Sequence, residues 1–417
     1  MSQAAALGAR GRPGLELGLR PNLGQFSLLL VINAFVGAMV GMERSVLPVL
    51  AEREFGIASR AAILSFVVAF GLVKALTNVV AGSVADRWGR RRVLLTGWLA
   101  ALPVPFMIMF APDWGWVVAA NVLLGINQGL CWSTAVVMKM DLAGPRQRGL
   151  AIGLNESSGY LAVSLAALAS GYLAARYGLR PQPFWIGVVA TLGGLACSAF
   201  VRETRRQSVS EPANPSAPPP RLGAIVRRVS WSDGSLRAVS QAGLVNNLND
   251  GASWGLFPLF FISNGASLVQ TAALVALYPA VWGLAQLGTG LLSDRLGRRW
   301  LMAGGMGLQG LALVALARTH VLAAWVCCLV AYGLGTALVY PTFLAAVADH
   351  SESPWRATAI GIYRGWRDLG YAVGACLAGA AADRLGVPPS IALVGALTIL
   401  SGVAVATTYE DHRVSRP

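Results

Sequence analysis

The sequence predicts an all-α polytopic membrane protein with twelve transmembrane helices in two related halves. Three observations support this fold class. First, 55% of the 417 residues are hydrophobic and only 12% are charged, about half the charged share of an average soluble domain. Second, apolar runs of about 20 residues recur along the chain. Third, the second half repeats a loop motif of the first, which indicates an internal duplication.

The apolar runs define twelve candidate spans, each long enough to cross the hydrocarbon core as a helix. They lie at 26–49, 61–82, 93–111, 115–138, 150–175, 183–202, 238–262, 268–292, 300–317, 321–347, 357–381 and 389–408. We predict a six-helix bundle at 26–203 and a second at 237–408, with a cytoplasmic linker at 204–236 and cytoplasmic tails at 1–25 and 409–417. The linker is rich in Pro and Ser, which is typical of disordered segments.

The formal net charge of +14 is explained by membrane orientation. Most of the basic residues outside the spans fall on one side, in short connections such as 87–92, 139–148 and 295–299 and in the linker and both tails, with Lys139 counted as a loop residue. The positive-inside rule makes that side cytoplasmic, together with both termini. We therefore predict an integral protein of a bacterial inner membrane whose basic loops face lipid, and no nucleic-acid partner.

The loop motif is the clearest internal repeat. The segment GSVADRWGRRRVL at 82–94 recurs as GLLSDRLGRRWLM at 290–302, a shift of 208 positions. The same shift relates Asp141 to Asp349 and Glu156 to Arg364. Because each half has six spans, both halves begin in the same orientation, as in a parallel repeat about an axis along the membrane normal.

This doubled G-x-x-x-D-R-x-G-R-R pattern resembles the signature loop of the major facilitator superfamily of transporters, and the resemblance covers essentially the whole chain. It implies two six-helix bundles that rock about a central site. The first, fourth, seventh and tenth spans would line the cavity, and the second, fifth, eighth and eleventh would form the interface. The gating residues that it implies are Gly82, Asp86, Arg87, Gly89, Arg90, Gly290, Asp294, Arg295, Gly297 and Arg298.

Within this loop, Asp86 is expected near the cytoplasmic start of the third span, where a carboxylate can accept hydrogen bonds from free backbone N–H groups. Gly82 and Gly89 would permit close backbone approach and a tight turn. The chain lacks the Arg in the fourth span and the Gly-Pro in the fifth that proton-coupled drug exporters of the superfamily commonly carry. The drug-exporter mechanism therefore does not transfer directly.

Charged residues inside the spans are the candidates for coupling and solute binding, since ionisable groups at membrane depth are usually functional. The set comprises Glu43, Arg44, Lys74, Glu156, Asp250, Arg364, Arg367 and Asp368, with Asn249 and Trp132 as polar and aromatic neighbours. The alternative is structural: ion pairs along one helix and interhelical hydrogen bonds.

The segment IGIYRGWRDLGYAVG at 360–374 concentrates three of these charges. We expect Asp368 to be shared between Arg364, one turn earlier on the same helix, and Lys74 on the second span. Arg367 or Lys74 would then attract an anionic group of the solute when the interface opens.

These residues favour a secondary transporter of a small solute, with protons coupled through Glu156 or Asp250, acting as a monomer without a cofactor. An uncoupled facilitator of a small organic or anionic solute is the alternative, and a transporter-like membrane sensor is a more distant one. An enzyme is not expected because the three His residues form no metal-ligand pattern. The sequence has no nucleotide-binding P-loop motif, which disfavours an ATP-driven pump.

Overall fold

The computed structural model describes residues 17–144, 147–204, 221–352 and 355–411. Some helical positions inside these ranges are described by their backbone alone: Ser83, Asp86, Arg148, Gly290, Leu291, Ser293, Asp294, Arg295 and Ala357. The described residues form sixteen α-helices and no strand. The predicted all-α fold is confirmed.

The first half folds into nine α-helices that make up six spans. They are α1 (Leu23–Arg44), α2 (Leu47–Arg53), α3 (Arg60–Ile63), α4 (Ser65–Trp88), α5 (Arg90–Ala101), α6 (Val104–Met109), α7 (Trp114–Ala143), α8 (Arg148–Tyr177) and α9 (Trp185–Ala199). Short breaks divide α1 from α2, α3 from α4, and α5 from α6. The last break lies at Pro103, which has no N–H for a helical hydrogen bond.

The second half contains a short helix and six long ones. They are α10 (Leu222–Arg227), α11 (Gly234–Ser263), α12 (Leu268–Leu296), α13 (Arg298–Leu316), α14 (Leu322–Asp349), α15 (Arg356–Leu385) and α16 (Val387–Thr408). All twelve predicted spans are therefore helical.

Nine spans in the described part of the chain are long and apolar enough to cross a membrane. The other three are α7, α11 and α15, each 30 residues long. Two of them, α11 and α15, carry the buried charges Asp250, Arg367 and Asp368.

At one end of the molecule the two bundles are in close contact, and we call this the sealed end. A Cβ built on Gly379 of α15 would lie 2.8 Å from Cα of Ala61, and one built on Gly71 of α4 would lie 2.7 Å from the backbone nitrogen of Ala372. On the other pair of interface helices, the Ser164 hydroxyl of α8 donates a hydrogen bond to a backbone carbonyl of α12 at 2.8 Å. Backbones approach this closely only where one partner lacks a side chain.

The opposite end, which carries the repeated motif, is open, and we call it the loop end. A Cβ built on Gly82, Gly153 or Gly361 meets no atom within 4 Å. These glycines lie eleven residues from Gly71, Ser164 and Ala372, which contact the other bundle at the sealed end. Eleven residues are about three full helical turns, so each glycine lies on the same helix face as that contact and is directed at the other bundle. The bundles therefore meet at the sealed end and separate towards the loop end.

Candidate functional site

Asp368 lies at the centre of a buried charge cluster between the bundles and is fully buried. One of its oxygens is 2.8 Å from a guanidinium nitrogen of Arg367 and 3.9 Å from Nζ of Lys74 on α4. Asn78 of α4 donates a hydrogen bond to the other oxygen. The predicted contact between Lys74 and Asp368 is present, at the outer limit of an ion pair.

The prediction that Arg364 also pairs with Asp368 was wrong. No ion pair joins Arg364 to Asp368, because Arg367 occupies that carboxylate from the adjacent position. Arg364 is only partly buried, and its Nε makes no hydrogen bond in the described part of the structure. On a helix with 3.6 residues per turn, residues three and four positions apart lie on the same face, so Arg364 shares the face of Arg367 and Asp368. It lies one turn nearer the loop end than they do. It therefore faces the space between the bundles.

Asp250 forms the second charged cluster, nearer the sealed end. One oxygen is 2.8 Å from a guanidinium nitrogen of Arg44, which brings α1 of the first bundle onto α11 of the second. Tyr278 and Tyr371 donate hydrogen bonds to Asp250 at 3.2 and 2.8 Å. The carboxylate is therefore satisfied as an anion, as burial of a charge requires.

Glu156 is the third buried acid of the interface and is held by three neutral donors. Its oxygens accept hydrogen bonds from Trp132 at 3.0 Å, Asn155 at 2.8 Å and, across the interface, Tyr340 at 2.9 Å. Tyr340 also accepts a hydrogen bond from Arg367. A chain of contacts thus links Glu156 on α8 to Asp368 on α15.

Lys139 is a buried charge inside α7, so its predicted place in a loop was wrong. It was assigned to a basic loop, but α7 continues past it to Ala143, and its side chain is fully buried. Its Nζ donates a hydrogen bond to Oδ1 of Asn155, which in turn donates to Glu156. The available signal was its position directly after the predicted span, where a helix extended by one turn would enclose it.

Glu43 and Asn249 do not join these interface clusters. Glu43 is fully buried, and neither carboxylate oxygen has a hydrogen-bond donor among the described residues. Asn249 donates to Gln309 at 3.1 Å and accepts from Thr398, which are residues of α13 and α16 inside the second bundle. Its contacts are those of interhelical packing, and a site role for it stays a prediction.

Aromatic rings pack between the two bundles on the sealed side of Glu156. Tyr160 of α8 lies against Trp282 of α12 with ring centroids 3.5 Å apart, and Trp132 meets the edge of Tyr160 at 5.4 Å. Trp132 remains partly exposed. These rings place an apolar surface beside the charges of Glu156 and Lys74, so the site can contact both a polar head and an apolar body of a solute.

The repeated loop is anchored by carboxylates that sequence reasoning missed. Glu203 accepts hydrogen bonds from the N–H groups of Arg90 and Arg91, both at 3.1 Å. In the second half Asp411 accepts from those of Arg298 and Arg299 at 2.9 and 3.1 Å. Glu203 and Asp411 are themselves related by the shift of 208 positions, which was the signal in the sequence.

The role expected of Asp86 in capping the third span is therefore filled by Glu203. The structure describes only the backbone of Asp86, Gly290, Asp294 and Arg295, so their gating role stays a prediction. Gly89 and Gly297 adopt φ values of 92° and 85°, which only glycine adopts without strain. Arg90 and Arg298 pair with Asp141 and Asp349, and Arg87 is exposed.

Replacement of Glu203 by alanine should lower the free energy of unfolding by about 1 kcal/mol, the usual cost of losing a helix cap. The midpoint of thermal unfolding in detergent measures it. Asp411→Ala should cost a similar amount, and Glu410→Ala is the matched control, because only the backbone of Glu410 is bonded, to Ser235. Equal stability of Glu203→Ala and Glu410→Ala would contradict the capping role.

Comparison with known proteins places this arrangement among membrane transporters. A family model described as Major Facilitator Superfamily matches residues 28–243 and 239–417. An uncharacterized MFS-type transporter of Mycobacterium tuberculosis is 24% identical over 347 residues, which are 81% of this chain and 74% of that protein.

Two further matches are informative. A probable 4-methylmuconolactone transporter of Cupriavidus pinatubonensis is 28% identical over 237 residues, 55% of this chain and 53% of that protein, so the alignment spans about half of that relative. The crystal structure of a bacterial homolog of the human lysosomal transporter Spinster superposes with a TM-score of 0.70 at 16% identity, over 92% of this chain and 97% of that one. At this identity the likeness shows the fold alone.

Proposed function

The chain belongs to the major facilitator superfamily of transporters, and from this premise we propose that it moves a small organic anion across the membrane by alternating access. The family match covers both halves, and relatives are named as transporters of small solutes. The observation that carries the choice of an anion is Arg364, a cation that faces the open interface and whose Nε has no hydrogen-bond partner among the described residues.

The charge pairing at the interface supports this choice. Arg44 is balanced by Asp250, while Arg367 and Lys74 share Asp368. Among the described residues, Arg364 has no acid within ion-pair distance. A guanidinium can bind a carboxylate with two parallel hydrogen bonds, and the partner that it lacks would be supplied by the solute. Solute names of relatives, 4-methylmuconolactone and 3-(3-hydroxy-phenyl)propionate, fit a small organic molecule of this kind.

The open and sealed ends support alternating access. With the basic loops in the cytoplasm, as the positive-inside rule predicts, the loop end is the inner end, and this conformation is open inwards. The buried charges then lie between an open inner mouth and a sealed outer one. Rocking of the bundles about the Asp368 and Glu156 contacts would expose them to the other side.

Protons are proposed as the coupling ion, and Glu156 as the residue that takes them up. Asp250 has a direct ion pair to Arg44, so its protonation would leave a buried cation unpaired. Glu156 is held by neutral donors only, and Lys139 and Arg367 reach it through neutral groups, Asn155 and Tyr340. Protonation of Glu156 therefore breaks no direct ion pair. An uncoupled facilitator would share the anion site but lack this step.

The experiment is uptake by the purified protein in liposomes, with and without a pH gradient, using three probes of matched shape and different charge: 3-phenylpropionate, phenethylamine and 3-phenylpropanol. We expect accumulation of the anion alone, and only with the gradient. Accumulation of the amine instead would refute the anion proposal, and downhill entry of the anion that ignores the gradient would favour the facilitator.

Arg364→Gln should reduce uptake of 3-phenylpropionate at least about tenfold, because one charge-assisted pair contributes roughly 1.5–3 kcal/mol. Arg364→Lys keeps the charge and should retain part of the activity. The matched control is Arg384→Gln, since Arg384 is an exposed residue at the end of the same helix. Full uptake by Arg364→Gln would exclude Arg364 as the anion-binding residue.

A further inference from the structure

A carboxylate of the second bundle contacts the start of a span of the first bundle at the sealed end. Asp383, near the end of α15, accepts hydrogen bonds from the Ser59 hydroxyl at 2.8 Å, the Arg60 N–H at 2.5 Å and the Ala61 N–H at 3.2 Å. The first N–H groups of a helix have no acceptor within the helix. One side chain from the opposite bundle satisfies two of them.

The equivalent position in the other half is built differently. The start of α12, 208 positions further on, is capped by its own residues, because Ser267 and Gln270 form a capping box. The position equivalent to Gln270 holds Ala62, and the position equivalent to Asp383 holds Ala175. The first half keeps the N-cap serine, because the Ser59 hydroxyl accepts a hydrogen bond from the Ala62 N–H at 3.2 Å, but it lacks the second capping-box residue. Asp383 of the other bundle instead accepts from the Arg60 and Ala61 N–H groups, whereas no carboxylate stands at the equivalent position of the first bundle.

The packing beside Asp383 ties this contact to the relative position of the bundles. One turn earlier on α15, Gly379 lies so close to Ala61 that a Cβ would come within 2.8 Å of its Cα. Arg60 also pairs with Glu52 of α2 at 2.9 Å. Separation of the bundles at this end must break all three hydrogen bonds to Asp383 together.

We infer that Asp383 is a latch that holds the sealed end closed, by bonding the start of the second span across the two bundles. Its breakage and re-formation would accompany each opening of this end. The inference rests on the alternating access proposed above. Asp383 would change the equilibrium between the closed and open states of the sealed end without contacting the solute.

The test compares Asp383→Asn with the parent chain by spin-label distances across the sealed end, in a background whose five cysteines are replaced by alanine. Labels at Arg176→Cys and Arg318→Cys report on the two bundles, since both residues are exposed near this end and outside the latch. We expect the fraction of molecules with a longer distance to rise about fivefold, as expected for the loss of a charge from a solvent-exposed set of hydrogen bonds.

A second variant separates a latch from a simple helix cap. Ala62→Gln recreates the capping box of the other half and strengthens the helix start without touching the second bundle. Added to Asp383→Asn, it should leave the longer distance populated. Restoration of the parent distances would overturn the latch, as would unchanged distances in Asp383→Asn alone. Because these distances need no solute, failure of the latch is distinguishable from failure of transport in liposomes.

The latch should also respond to pH at the outer surface. Partial burial alone would raise the pKa of Asp383, but the hydrogen bonds from Ser59, Arg60 and Ala61, with the Arg60 charge, hold this pKa below its ordinary value. The group nearest in the chain, Arg384, is directed to a carbonyl of its own helix. Because this pKa is lowered, the hydrogen bonds of Asp383 stabilise the closed end at neutral pH. This stabilisation is lost as the pH falls through the pKa of Asp383. We expect unchanged distances down to about pH 4 and opening below. Opening between pH 6 and 8 would contradict this.

Discussion

Replacement of Asp368 by leucine should destabilise the protein by about 3–5 kcal/mol, the largest effect expected of any single change in the site. The variant leaves Arg367 and Lys74 buried together without an anion, and the charges then repel each other in a medium of low dielectric constant. Asn78 also loses its acceptor. The measurement is the midpoint of thermal unfolding in detergent, with uptake as a second readout.

A double-mutant cycle identifies which cation depends on Asp368. Arg367 lies 2.8 Å from the carboxylate and Lys74 lies 3.9 Å away, so Arg367→Met should offset more of the loss than Lys74→Met. Lys74 also faces the ring of Tyr371 at 4.9 Å, which gives it a second source of stabilisation. Strictly additive losses in both double variants would show that the charges do not interact.

Glu156→Gln should abolish proton-driven accumulation of the solute while leaving exchange of solute for solute intact. Glutamine has the shape of the protonated acid, and its carbonyl can still accept from Trp132 and Asn155, so the fold should be preserved. What it removes is a group that can alternate between anion and neutral acid. Uptake and exchange in liposomes, measured on one preparation, separate the two activities.

The matched control for Glu156→Gln is Asp250→Asn. It should lower the unfolding midpoint as well as transport, because it removes the charge that balances the buried Arg44. A Glu156→Gln protein that still accumulates solute against its gradient would exclude Glu156 as the coupling residue. Loss of exchange together with accumulation would instead indicate that Glu156 is needed for binding or for the rocking movement.

The helical spans were predictable because crossing a bilayer requires an apolar segment of a minimum length, and this requirement is visible in composition. All twelve were found, although α7 ends at Ala143, five residues beyond its predicted boundary. That boundary error is what placed Lys139 outside the membrane. The break after Ile63 had no clear signal, since it interrupts a continuous apolar run, whereas the break after Arg44 was indicated by Glu43, Arg44 and Ser45 and by Pro48 at the start of α2.

The charged residues of the site were predictable, but their partners were not. Arg364 and Asp368 have ideal spacing for a pair on one helix, yet Arg367 takes the carboxylate because Tyr340 of α14 also binds and orients its guanidinium. Such choices depend on contacts between distant spans, which spacing along one helix does not contain. The shift of 208 positions did relate Glu156 to Arg364, and the same comparison would have found Glu203 and Asp411.

The opposite charges of Glu156 and Arg364 at equivalent positions make the two halves non-interchangeable. A chain assembled from two copies of the first half would place two carboxylates across the central axis, and one assembled from two copies of the second half would place two guanidinium groups there. Like charges facing each other at membrane depth oppose both assemblies. Halves expressed as separate polypeptides should therefore associate more stably as mixed pairs than as identical ones, and an ancestor built from identical halves could not have carried this charge pair.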